Sequence, residues 1–163
     1  MDKNTPELAS QAVYVLSQKG LKLGFAESLT GGMISSGIVD IPGASAVFNG
    51  AVVSYVNEVK TSVLGVDPAV ISEVTEVSSE CAEQMASGAA KLLSADIAVS
   101  VTGIAGPGGD LPGKPVGTVF MGLYNRGEVS SVRLDLSGTR DEIRRSTAAC
   151  AYIKIIEMAG TDS

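Results

Sequence analysis

The chain contains no histidine and no tryptophan, and aromatic residues make up only 4% of its 163 positions. The missing histidine removes the Ser-His-Asp triad, the Cys-His pair and every His-ligated metal site. A hydrolase built from this chain must take its base from a carboxylate, a lysine or a tyrosine. The scarcity of aromatics leaves the core to Val, Ile, Leu, Ala and Met, within an apolar share of 45%. Cysteine is limited to Cys81 and Cys150, without C-x-x-C spacing, so neither a disulfide framework nor a zinc site is indicated. Both fall in amphipathic segments and read as small core residues. No uninterrupted apolar run reaches the ~18 residues of a membrane span. The first fifteen residues are polar and lack a secretory signal, so the expected location is the cytoplasm. Positive charge is also in short supply, with a net charge of −6, which argues against nucleic acid as a partner. All five arginines nevertheless fall within 126–145, where local positive potential would suit a small anionic ligand.

What is present describes one domain over 1–163, large enough to fold without staples. A first helix is marked by Thr5 as N-cap, Pro6 at N1 and Gly20 past its end, with Leu8, Ala12, Val15 and Leu16 on one face. A strand over 22–26 leads into Glu27-Ser28-Leu29-Thr30-Gly31-Gly32 and a helix to about Val39. Strand 50–55 precedes a short helix from Asn57 to about Leu64. An amphipathic helix over 79–93 carries Ala82, Met85, Ala86, Ala89 and Leu93 on one stripe. The run 97–101 reads as a strand buried on both faces. Strands 116–123 and 128–134 join through Asn125-Arg126-Gly127 as a hairpin. The last helix opens on a capping box, Thr139 with Glu142, and runs to about Met158. The expected fold is α/β, a layered α/β/α domain with a mixed sheet covered by helices.

Three places carry chemistry. Ser28 lies at a strand-to-helix turn beside backbone N–H groups of the kind that bind a developing oxyanion, although Ser28 or Thr30 would equally serve as a helix cap. Lys60, with Asn57 as N-cap, falls at N3, where the helix dipole opposes its charge. A base near neutrality needs a lysine pKa lowered from about 10.4 to about 7.5, a cost of about 4 kcal/mol that only burial can largely supply. The plainer alternative is a solvated surface lysine. Arg140 and Arg144 share a face at the first turn of the last helix, the wrong end for cations. They would form a phosphate clamp, or else pair with Asp135, Asp141 or Glu142.

The loop 103–117 holds six of the nineteen glycines and bares backbone N–H groups to a ligand, unless it is simply a flexible surface loop. Gly108 to Lys114 matches G-x-x-x-x-G-K, the start of a P-loop. Pro115 stands where the magnesium-binding hydroxyl should be and a strand follows, so the NTPase reading fails.

Four ordered motifs carry a family resemblance over residues 7–158. They are Ala26-Glu27-Ser28-Leu29-Thr30-Gly31-Gly32, Val53-Ser54-Tyr55-Val56-Asn57-Glu58-Val59-Lys60, the run from Val101 to Gly109, and Lys114-Pro115-Val116-Gly117-Thr118-Val119, with Gly138-Thr139-Arg140 and Arg144 completing the set. The chain thereby resembles the CinA C-terminal (competence/damage-inducible) family of nicotinamide-mononucleotide amidohydrolases. The resemblance implies a Ser/Lys/Tyr hydrolase that converts nicotinamide mononucleotide to nicotinate mononucleotide and ammonia, without metal or cofactor. Its roles would fall on Ser28 as nucleophile, Lys60 as base and Tyr55 as relay or oxyanion partner. Contacts to a phosphorylated nucleotide would fall on Thr30, Gly31, Gly32, Thr102, Gly103, Ala105, Gly106, Arg140 and Arg144.

Leu29 departs from the family pattern, which usually has Cys there, and is expected to make the pocket wall bulkier. The chain reads as a stand-alone form without the N-terminal nucleotide-pyrophosphatase-type domain of many members. The resemblance favours a homodimer, for which the Ala-rich helix 79–93 is a candidate face. Two rival readings keep the fold: a non-catalytic nucleotide-binding or competence-related module, and an amidase for another small amide.

Overall fold

The structure, a computed structural model, describes residues 4–161. Five strands form one sheet in the order β2-β1-β3-β4-β5: β1 (Leu23–Glu27), β2 (Phe48–Val53), β3 (Ile97–Gly103), β4 (Thr118–Asn125) and β5 (Glu128–Asp135). β1 runs parallel to both β2 and β3, whereas β3-β4 and β4-β5 are antiparallel. Helices α1 (Thr5–Lys19), α2 (Met33–Val39) and α6 (Arg140–Gly160) cover one face, and α5 (Ser79–Leu93) covers the other. Short helices α3 (Asn57–Ser62) and α4 (Pro68–Val74) lie between β2 and α5. The layered α/β/α domain with a mixed sheet is thus the architecture observed.

Alternation along the strands sets the two faces apart. Ile97, Val99, Val101, Val119, Met121 and Leu123 point into a core shared with α1, α2 and α6. The opposite face carries small residues, Ala98, Ser100 and Gly122, so α5 approaches the sheet very closely. A Cβ on Gly122 would lie 2.0 Å from the Ala82 carbonyl oxygen. Cys81, Ala82, Met85, Ala86, Ala89 and Ala90 are buried by this contact. The small residues of α5 on this stripe therefore pack within the chain, against the sheet.

Several boundaries differ from the sequence reading. Asn4, not Thr5, caps α1, and without a side-chain bond; Gly20 ends it at φ 65 as anticipated. Val56, not Asn57, caps α3, which makes Lys60 the fourth helical residue. Helix α4 was not anticipated, although Asp67 caps it by accepting from Ala69 N and Pro68 opens it. The capping box of Thr139 and Glu142 forms with both of its hydrogen bonds. The hairpin turns on Arg126 and Gly127 at φ 49 and 100, with the Arg126 guanidinium donating to the Met158 and Thr161 carbonyls at 3.1 and 2.9 Å. Among the described residues no helix is long and apolar enough to cross a membrane.

Candidate active site

Three parallel strands end on the same side of the sheet, and the chain leaving each contributes to one cavity of about 290 Å³. Ser28 follows β1, Tyr55 and Asn57 follow β2, and Ile104 to Gly109 follow β3. The space beyond the carboxyl ends of parallel strands is where open α/β sheets place ligands, because the departing loops diverge there. A larger cavity of about 870 Å³ lies between α5 and the chain leaving α3, and neither of its serines, Ser62 and Ser87, is hydrogen-bonded to its Lys91 or Glu83.

Ser28 is held on both sides of its peptide. Its N–H donates to the Val101 carbonyl at 3.1 Å, and the preceding carbonyl, of Glu27, accepts from Ser54 N at 2.8 Å. Lys60 lies beside it, only 1% exposed, and its Nζ reaches Ser28 Oγ at 3.1 Å. The same Nζ donates to the Ser54 and Tyr55 carbonyls at 2.7 and 3.3 Å. Carbonyls only accept, so a neutral amine would direct its two hydrogens to them and its lone pair to the Ser28 hydroxyl. Burial lowers the pKa of Lys60 from its ordinary value of 10.5, while the nearby Cys81 and Glu76 oppose the shift. The surface-lysine alternative is thereby overturned. Cys81 is a buried core residue whose thiol burial pushes up to about 11, as its reading as a structural residue requires.

Neither Ser28 nor Thr30 caps the following helix. That role belongs to Glu27, fully buried, whose carboxylate accepts from the N–H groups of Gly32 (3.2 Å), Ile34 (3.0 Å) and Ser35 (2.9 Å). The hydroxyls of Thr30, at 2.7 Å, and Ser35 also donate to it. A carboxylate buried at a helix N-terminus and satisfied by five donors anchors the turn that carries Ser28. Glu27→Gln should lower the stability of the protein by about 2–4 kcal/mol, since an amide sets an N–H2 against those donors. Denaturant unfolding checks this, and a loss below 1 kcal/mol would deny the anchor. Of the backbone donors at the turn, those of Ser28, Gly31 and Gly32 are engaged. Those of Leu29 and Thr30 meet no protein acceptor among the described residues.

The other anticipated contacts divide. Gly103, Ala105, Gly106, Thr102 and Arg140 line the Ser28 cavity. Thr102 directs its hydroxyl to the Glu76 carbonyl at 2.8 Å. Gly106 has φ 85, and a Cβ there would lie 2.6 Å from Val116 Cγ1, so the glycine is required by the backbone. Thr30, Gly31 and Gly32 do not belong to this cavity: Thr30 is buried on Glu27, and all three line a separate cavity of about 590 Å³ bounded by α1, α2 and α6.

Arg140 and Arg144 are also separated. Arg140 donates to the Gly106 carbonyl at 2.8 Å and to the Tyr55 hydroxyl at 3.3 Å across the cavity. Arg144 donates to the Leu29 and Thr30 carbonyls, both at 2.9 Å, and faces the other cavity. A shared clamp does not form, because backbone carbonyls claim Arg144. Nor do acidic neighbours take Arg140; it is Arg145 that pairs with Asp141 and Arg133 with Asp135. The phenol of Tyr55 meets Arg140 (Tyr55 is 59% exposed), and of Tyr55 Lys60 meets only the main-chain carbonyl, to which it donates. Leu29 borders the cavity yet is 5% exposed and packs in the main core, so most of its bulk lies away from the opening. Sequence reasoning missed Glu27 and Glu76. The first was detectable as an acid ending a strand just before a helix start; nothing local marks the second.

Among the described residues no three His, Cys, Asp or Glu side chains gather as a metal site. The geometry is that of a buried hydroxyl–amine pair in a small cavity. The chain is 48% identical over 140 residues to a CinA-like protein of Dictyoglomus turgidum, and 45% identical over 148 residues to one of Thermotoga neapolitana. These alignments cover 86% and 91% of the chain but 34% and 36% of those proteins, so the chain spans about a third of the length of these relatives. Crystal structures of a CinA superfamily protein from Klebsiella pneumoniae (TM-score 0.93, 30% identity, 96% of this chain and 98% of that one) and of the competence/damage inducible protein CihA from Agrobacterium tumefaciens (0.92, 38%, 95% of each) share the fold. Since the model of the CinA C-terminal domain also matches residues 5–159, from the first turn of α1 nearly to the end of α6, the chain belongs to the CinA C-terminal domain family.

Proposed function

We propose that the chain is a serine amidohydrolase that hydrolyses the carboxamide of nicotinamide mononucleotide. The observation that carries this reading is the 3.1 Å approach of Lys60 Nζ to Ser28 Oγ, both buried at one cavity. Burial favours the uncharged amine, the form that can take a proton. Ser28 Oγ attacks the carboxamide carbon as its proton passes to Lys60. The N–H group of Leu29, which borders the cavity and meets no protein acceptor among the described residues, is the backbone donor at hand for the oxyanion. Lys60 returns the proton to the departing nitrogen, and ammonia leaves an acyl-enzyme. Water then attacks the ester carbon, giving one proton to Lys60, and the proton returns to Ser28 Oγ as nicotinate mononucleotide departs. Tyr55 serves at the rim through Arg140 and not as a relay.

Ammonia release from nicotinamide mononucleotide in the presence of EDTA tests the reading. Sustained turnover supports it, and a folded protein that releases none overturns it. Arg140 uses two of its guanidinium nitrogens on Gly106 and Tyr55 and keeps further donors for an anion beside the glycine loop. Arg140→Ala should therefore raise KM about tenfold or more while kcat changes by less than about threefold. An unchanged KM would place the phosphate elsewhere, and equal activity on the dephosphorylated riboside would favour an amidase for another small amide.

A further inference from the structure

Glu76 is the one carboxylate among the residues lining the Ser28 cavity, and neither the nucleophile nor its base uses it. Its backbone is held from several sides. Lys114 Nζ donates to the Val74 carbonyl at 3.0 Å, to Thr75 Oγ1 at 3.3 Å and to the Val77 carbonyl. Thr102 Oγ1 donates to the Glu76 carbonyl at 2.8 Å, and Ser78 Oγ to that of Thr75 at 2.9 Å. Thr75 is kept at φ 74, a conformation a β-branched residue adopts only under constraint. The lysine of the false P-loop motif thus finds its use in this clamp. Against that rigid frame, the Glu76 carboxylate itself makes no hydrogen bond or ion pair among the described residues.

A carboxamide presents one acceptor, its carbonyl oxygen, and one donor group, its N–H2. The cavity offers the carbonyl oxygen amine, guanidinium and backbone donors. For the N–H2 it offers Glu76, an acceptor on a preformed support. We propose that Glu76 determines specificity at this site by accepting a hydrogen bond from the ligand's carboxamide N–H2 and by repelling the carboxylate that replaces it in the product. The inference rests on the amidohydrolase reading above. It also gives the leaving group direction: as the nitrogen takes its proton from Lys60 it gains positive charge, which a fixed carboxylate stabilises more than it stabilises the neutral amide. Product release follows from the same charge.

The field of Glu76 reaches Lys60, whose pKa it raises against the effect of burial, as does that of Cys81 on α5. Arg140 stands at the cavity with the opposite sign. Glu76→Gln removes the charge, keeps the shape and adds an N–H2 that can donate to a carboxylate. Binding of nicotinamide mononucleotide and of nicotinate mononucleotide is to be measured by calorimetry in Ser28→Ala, which cannot turn over, and in Ser28→Ala/Glu76→Gln. The expected result is a preference for the amide of about tenfold or more in the first protein that falls to near parity in the second. With Ser28 intact, Glu76→Gln should also move the rising limb of the pH–rate profile to lower pH, because Lys60 loses a neighbouring anion. The same amide preference in both proteins overturns the role of Glu76 and leaves the amidohydrolase reading standing. Binding of neither nucleotide to Ser28→Ala overturns both.

Discussion

Ser28→Ala is expected to lower kcat for ammonia release by about ten-thousandfold or more, while the dissociation constant for nicotinamide mononucleotide changes by less than about threefold. The separation follows from the geometry. Ser28 is 9% exposed and its hydroxyl lies 3.1 Å from Lys60 Nζ, so it contributes little surface to a bound ligand. The main chain around it is fixed by Val101, Ser54 and the Glu27 carboxylate, none of which involves the Ser28 side chain. The alanine variant should keep the wild-type unfolding midpoint. Steady-state ammonia release and equilibrium binding on the same preparation read the two effects separately. Activity within tenfold of wild type would remove Ser28 as the nucleophile, and lost binding would make it a ligand contact. A folded wild-type protein that binds the nucleotide without releasing ammonia would instead favour the non-catalytic module of the same fold.

Lys60→Arg is expected to reduce kcat/KM by about a thousandfold or more, because a guanidinium stays protonated and cannot take the Ser28 proton near neutral pH. Lys60→Met, similar in volume and without a base, should give a comparable loss, which separates the missing base from a misfit guanidinium. Thermal unfolding of both variants monitors the fold. On the proposed mechanism activity requires the free amine, so kcat/KM should rise with pH through the pKa of Lys60, below the ordinary 10.5. The sign for stability is the same. Between the lowered folded value and 10.5 the unfolded chain binds a proton that the folded chain refuses, so the contribution of Lys60 to stability improves as pH rises through that window. A pH-independent kcat/KM across it, or near-normal activity in Lys60→Met, would take Lys60 out of the mechanism.

The sheet and its covering helices were legible because their signals are local. The stripe of Ala82, Met85, Ala86 and Ala89 marks α5, Thr139 and Glu142 mark the start of α6, and Arg126-Gly127 marks the hairpin. The errors came where another residue supplied the cap. Thr30 and Ser28 stand at the right positions for capping α2, but Glu27 reaches forward from the end of β1 and satisfies that terminus first. Asn57 has a capping side chain, yet Val56 already has the extended backbone that starts α3.

The pair Ser28 and Lys60 was legible as two residues of suitable chemistry, each at a strand-to-helix junction. Their meeting depends on β1 and β2 lying side by side and parallel, with Glu27 opposite Val53, so that both junctions open at the same edge. The arginines show the reverse. Arg140 and Arg144 lie one helical turn apart, but one faces the glycine loop and the other the carbonyls of Leu29 and Thr30.

Composition, periodicity and turn chemistry by themselves determined the α/β class, the order of its main elements and the exclusion of histidine catalysis, since each depends on residue types and short spacings alone. Tertiary structure decided that Lys60 is buried and its pKa lowered, that Glu27 anchors the turn carrying Ser28, and that Glu76 lines the cavity with its carboxylate making no hydrogen bond or ion pair among the described residues. Burial and the partners of a charged group depend on which distant segments pack around it, and no local stretch of sequence contains that information.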